Sequence, residues 1–235
     1  MTVLVIQNCE AEGIGLYQEH LQAIGISLTT VHAYREAAFP PMEGIDAIII
    51  GGTPISAYHY REHQFLAKER AFLEAAQRLG VPALGVCFGG QFLALQNAAA
   101  VKRNPVMEIG GYEVSLTEAG QKDPLFAGFP GTFPVFHWHG DTFDVPRAGA
   151  LLAEGRDCRN QAFVCGASRG LQFHLELTAT DAARWADAYA DELARFGKTK
   201  EQVVSECAVR EMEMARLAGL LIRNFAHIVG PVPLE

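Results

Sequence analysis

A chain of 235 residues, 49% hydrophobic and 20% charged, has the composition of a globular protein and enough length to bury a sizeable core. Its formal charge of -8 and pI near 5.5, with no basic stripe, exclude a nonspecific polyanion binder, so no nucleic-acid partner is expected. No apolar run reaches membrane-spanning length, and the odd set Cys9, Cys87, Cys158, Cys165 and Cys207 lacks CxxC spacing; a reducing cytoplasm is expected rather than a disulfide framework or a zinc site.

"TVLVIQN" has no basic leader before it and reads as a first strand, not a signal peptide. The helical pattern "GIGLYQEHLQAIG", the strand "SLTTVHAY" and the almost wholly apolar "IDAIIIGG" follow, an order that predicts a parallel sheet. "QFLAKERAFLEAAQRLG" carries apolar residues near helical spacing, stops at Gly80 and leads into the strand "PALGVC". From about 100 to 176 short alternating segments ("YEVSLT", "FPVFHWH", "ALLAEG", "AFVCG", "GLQFHLE") predict further strands, some antiparallel. "TDAARWADAYADELARFG" and the segment from Thr199 to Gly230 read as two helices, with Thr178–Asp181 and Thr199–Gln202 as capping pairs and Gly197 as a stop. No repeat or linker marks a boundary. The expectation is an α/β fold in one domain, residues 1–235: an open, mostly parallel sheet with helices on both faces, comprising a core to about residue 178 and a C-terminal helical extension.

The chemistry centres on Cys87. An apolar strand ending there turns at once through "FGGQ" into a helix, the strand–nucleophile–helix arrangement Gly85-Val86-Cys87-Phe88-Gly89. Glycines permit the tight turn, and the helix N-terminus beneath the sulfur favours a thiolate. A free cysteine is more often a small buried hydrophobe, and Cys87 alone supports no more than that. His174 and Glu176 in "GLQFHLELT" alter the balance. Two positions apart on a strand they share a face, so the carboxylate can orient an imidazole that accepts the thiol proton. Oxyanion donors are expected from the Phe88 N–H and from the loop after "IIIGG", at Gly52.

In this combination "GVCFGGQ", "QFHLE" and "IIIGGTPIS" resemble the nucleophile, His-x-Glu and oxyanion-loop motifs of class I glutamine amidotransferases, in that family's order and over residues 45–177. "FHWHGDTF" is similar to a segment of the GMP synthase-like branch. The resemblance implies a flavodoxin-like fold and attack by Cys87 on the glutamine carboxamide, with His174 moving the proton and Glu176 orienting it. It also implies that Gln91 contacts the glutamine, while the backbone around Trp138, His139 and Gly140 holds its α-amino and carboxylate groups. Leu175 stands where the family commonly has proline. No P-loop or nucleotide-binding glycine pattern is present, so no cofactor is expected and an ammonia-accepting synthetase would be a separate partner.

A γ-glutamyl peptide or conjugate hydrolase with the same three groups is the competing enzymatic reading, and a partner-binding protein without turnover the nonenzymatic one. An α/β-hydrolase is disfavoured because its acid precedes the histidine in the chain. His137 and His139 share a strand face, but without a third ligand at useful spacing no metal site is expected. "AVREMEMARLAGLL" is expected to pack on the sheet.

Overall fold

Alternating apolar strands and amphipathic helices build the first half of the chain; the computed structural model describes residues 1–36 and 38–230. In order these elements are β1 (Thr2–Gln7), α1 (Gly15–Ala23), β2 (Ser27–His32), β3 (Ala47–Ile50), α2 (Gln64–Arg78), β4 (Ala83–Val86) and α3 (Phe88–Gln96). Then come β5 (Val101–Leu116), α4 (Glu118–Lys122), β6 (Thr132–Phe143), β7 (Ala150–Glu154), β8 (Asn160–Cys165) and β9 (Ser168–Leu171). Helices α5 (Ala179–Ala188), α6 (Ala190–Arg195), α7 (Lys200–Ala208) and α8 (Glu211–Val229) complete the described chain.

One nine-stranded sheet runs β2-β1-β3-β4-β9-β8-β7-β5-β6. The first five are parallel neighbours and every later pair is antiparallel, so the sheet is mixed rather than mostly parallel. Strand periodicity divides the core in two. Val3, Val5, Ile49 and Leu84 face one way, onto Tyr17 and Leu21 of α1 and Leu217, Leu221 and Phe225 of α8. Leu4, Ile6, Ile48 and Ile50 face the other way, onto Leu66 and Leu73 of α2 and Phe88 and Phe92 of α3. Helices therefore cover both faces, and each fully buried side chain of this size contributes roughly 1.5–3 kcal/mol.

The two expected C-terminal helices are four. Tyr189 (φ -118°, ψ 33°) leaves helical geometry between α5 and α6, and the chain turns again at Val209–Arg210. Both predicted capping boxes form, Thr178 with Asp181 and Thr199 with Gln202, and Gly197 follows α6 at φ 67°. Met214 is fully buried while Met212 is exposed, the division expected of a helix packed by one face. No described helix is long and apolar enough to cross a membrane. All five cysteines are free.

Candidate active site

Cys87 sits at the N-cap of α3 with φ 52° and ψ -110°, a left-handed conformation rare for a side-chain-bearing residue. Its neighbours hold it there. The Cys87 N–H donates to the Leu171 carbonyl at 2.8 Å, and the Cys87 carbonyl accepts from Gln91 N–H at 3.1 Å. Gly89 and Gly90 let α3 lie directly on the sheet: a Cβ on Gly89 would collide with the Ile50 carbonyl, and one on Gly90 would stand 2.5 Å from that of Leu171. The Gly-Gly pair thus serves close packing of helix on strand as well as the turn.

His174 lies beyond the end of β9, not within a continuous strand as expected. After Gln172, whose N–H still donates to the Gln161 carbonyl of β8 at 2.8 Å, the chain makes one antiparallel bridge to β6, with His174 N–H donating to the Phe136 carbonyl at 2.9 Å and the reciprocal bond at 3.0 Å. The expected partnership forms nonetheless: His174 Nδ1 donates to Glu176 Oε1 at 2.6 Å. The second carboxylate oxygen accepts the Leu175 N–H at 3.0 Å, a bond that the family's proline could not make. The Glu176 carbonyl accepts from Leu16 N–H at 2.9 Å, and Gly15 leaves room for this approach. Burial opposes charge on His174, but Glu176 and the contact with Cys87 outweigh it and raise the imidazole well above the usual histidine range. Its Nε2 has no hydrogen-bond partner among the described residues.

A cavity of about 90 Å³ opens over the Cys87 sulfur. Cys87, Phe88, Gln91, Trp138, His139 and Gly140, all singled out in the sequence, line it. The Cys87 thiol points to the Trp138 carbonyl and accepts from Gln172 Nε2, each at 3.8 Å. Gln91 Nε2 is bound to the Asp141 carbonyl and to Gln172 Oε1, both at 3.1 Å. Gly52 stays behind the wall, which the following Thr53, Pro54, Ile55 and Ser56 form. A larger cleft of about 750 Å³ beside Tyr112, Arg156, Lys198 and Arg210 has no cysteine in its wall, its Ser115 and Thr132 hydroxyls bond each other and its Lys198 is held by Glu206, so the small cavity is the better candidate.

Several lining residues carried no sequence signal. Glu12, Arg103, Asp141, Trp185, Tyr189 and Glu192 come from widely separated parts of the chain. Tyr189 donates to Glu12 Oε1 at 2.6 Å, Trp138 Nε1 to Glu192 Oε2 at 2.7 Å, and Asp141 binds Ser56 and Arg103. Only Asp141, directly after Gly140 in "HWHGD", adjoins a motif.

The expectation of no third ligand for His137 and His139 is corrected by the sheet. Register places Glu108 of β5 directly opposite His139, with His139 Nε2 at 2.9 Å and His137 Nε2 at 3.8 Å from Glu108 Oε2. One donor atom from each of the three lies within 4.8 Å of the others, a set able to hold a metal ion. The cluster also braces the cavity, because His139 Nδ1 donates to the same Asp141 carbonyl that receives Gln91.

Known proteins share this fold. A glutamine amidotransferase from Thermotoga maritima superposes with a TM-score of 0.89 at 31% identity, covering 98% of this chain and 99% of that one. A glutamine amidotransferase from Methylobacillus flagellatus, at 22% identity and TM-score 0.88, shares the fold. In sequence, the glutamine amidotransferase-like protein YfeJ of Salmonella typhimurium is 31% identical over 183 residues, 76% of this chain and 77% of that protein. A GMP synthase of Borreliella burgdorferi is 27% identical over 171 residues, 71% of this chain but only 31% of that longer protein. The family model "Glutamine amidotransferase class-I" matches residues 6–186, and the chain belongs to that family.

Proposed function

We propose that this chain hydrolyses the side-chain amide of glutamine through a γ-glutamyl thioester on Cys87. The supporting observation is a buried thiol at the tip of a strained strand–helix turn, in a cavity that Trp185 also lines while packing edge-on against the His174 imidazole that Glu176 holds. The sulfur attacks the amide carbon and the C–S bond forms as the C–N bond breaks, with His174 giving its proton to the leaving nitrogen. Water, deprotonated by His174, then splits the thioester to glutamate and free thiol. The Phe88 N–H at the start of α3, assisted by the backbone at Gly52, would bind the oxyanion. Glu176 keeps the imidazole in the required tautomer. Gln91 and the Trp138–Gly140 backbone would hold the amino-acid end of the substrate.

The chain acts as one unit, because Trp185, Tyr189 and Glu192 of the helical extension close the cavity over Cys87. Relatives named GMP synthase support a synthetase partner as the consumer of ammonia. A reducing, cytoplasmic setting suits a thiol nucleophile. The test is glutamate release from glutamine together with mass analysis of Cys87 after brief exposure. A γ-glutamyl increment and a fall of at least about 10⁴-fold in Cys87→Ala are expected; full activity in that variant would refute the proposal.

A further inference from the structure

The wall of the cavity on the His174 side is acidic and aromatic. Glu12 is 6% exposed, and only one of its carboxylate oxygens is hydrogen-bonded, by the neutral Tyr189 hydroxyl. The other, Oε2, packs directly on the Gly52 backbone, beside the expected oxyanion position. Glu192 is likewise held by a neutral donor, the Trp138 indole. Neither carboxylate has an ion-pair partner among the described residues, whereas the cavity's other acid, Asp141, is paired with Arg103. Burial, only partly offset by the Tyr189 hydrogen bond and the nearby His174 charge, raises Glu12 above the usual carboxylate range.

The cavity shares part of its wall with a second space. Pro54, Tyr189 and Glu192 are shared with a neighbouring groove of about 390 Å³, which Asp191, Arg195 and the Lys200-paired Asp187 also line. Gln91 and Asp141 line the cavity but not the groove. Glu12, Tyr189 and Glu192 line the same small cavity as Cys87, so a group leaving the thioester carbon departs within reach of them. Two carboxylates, each hydrogen-bonded only by a neutral aromatic donor, form a site for an ammonium group.

We propose that Glu12, Tyr189 and Glu192 form a cation-selective leaving-group subsite, so that the preferred substrate is a γ-glutamyl amide whose leaving amine carries a second, positively charged nitrogen. This rests on the Cys87 thioester reading and deepens it. The bond changes are unaltered: C–S forms, C–N breaks, the His174 proton goes to the departing nitrogen and water releases glutamate. Only the second nitrogen, which takes no part in the chemistry, lies between Glu12 and Glu192.

The experiment compares kcat and KM for glutamine, for the γ-glutamyl amide of diaminopropane and for the near-isosteric, uncharged γ-glutamyl butylamide. Labelling of Cys87 by a diazoketone analogue of glutamine reports the integrity of each variant. The wild-type chain is expected to favour the charged amide over butylamide by about tenfold or more in kcat/KM, chiefly through KM. Glu12→Gln and Glu192→Gln should each erode that preference while Cys87 still labels. Equal turnover of the charged and uncharged amides, or a preference that survives in both variants, overturns the subsite. A chain inert to glutamine, to both amides and to the label overturns the thioester reading, and the subsite with it.

Discussion

The turn around Cys87 and the wall facing it are built in opposite ways. The turn is local: β4, Cys87 and α3 are consecutive, and the strained backbone, the helix N-terminus and the glycines all lie within residues 85–90. The wall is assembled from Glu12 after β1, Trp138 on β6, Trp185 on α5, Tyr189 at the α5–α6 break and Glu192 on α6. A nucleophile needs a fixed backbone conformation, which neighbouring residues can impose. A selective pocket needs side chains converging from several directions, and no single segment can supply them.

If this division is right, substitutions on the two sides should fail differently. After removal of the thiol itself, the largest effect belongs to Glu176→Gln, which removes the charge orienting His174. A fall of about 10²–10⁴-fold in kcat is expected, with KM for glutamine little changed; a change confined to KM would place Glu176 in substrate binding instead. Gly89→Ala should act through structure, since its Cβ meets the Ile50 carbonyl. Overpacking of this kind costs roughly 1–3 kcal/mol, measurable by urea unfolding, and should displace Cys87 as well. An alanine variant with wild-type stability would show that α3 does not need to lie against β3.

Glu69 tests the core beneath the turn. It is fully buried on α2, held only by Asn8 Nδ2 at 3.3 Å, and burial pushes its carboxyl up to about 8. The folded chain therefore binds a proton that the unfolded chain has released, so stability falls as pH rises from about 4.5 to 8. Glu69→Gln removes that dependence. Its advantage over wild type should grow across this window to about 5 kcal/mol at higher pH, and a constant difference between the two unfolding curves would contradict it. The smallest effect should be that of Leu175→Pro, which deletes the N–H bound to Glu176 Oε2 while leaving the His174–Glu176 bond. A loss of about tenfold or less is expected in kcat. A loss as large as that of Glu176→Gln would mean that this N–H, rather than the imidazole, fixes the carboxylate.

Particular residues show where sequence reading works and where it stops. The order of strands and helices through α3 was legible because each element carries its own hydrophobic period, and the two capping boxes because their partners are three residues apart. The His174–Glu176 pair was legible from spacing, although a single bridge to Phe136 rather than a ladder supports it. The break at Tyr189 was not, since the apolar pattern runs through it; the side chain turns inward there to reach Glu12.

The amino-acid sequence by itself determined the alternating fold, the strained turn at Cys87 and the His174–Glu176 pair, because those properties depend on contacts within a few residues. Tertiary structure alone decided the mixed sheet, the pairing of Glu108 with His139 and the acidic wall over Cys87. These depend on which distant strands and helices become neighbours. That is settled by burying the two faces of the sheet together, not by any local preference.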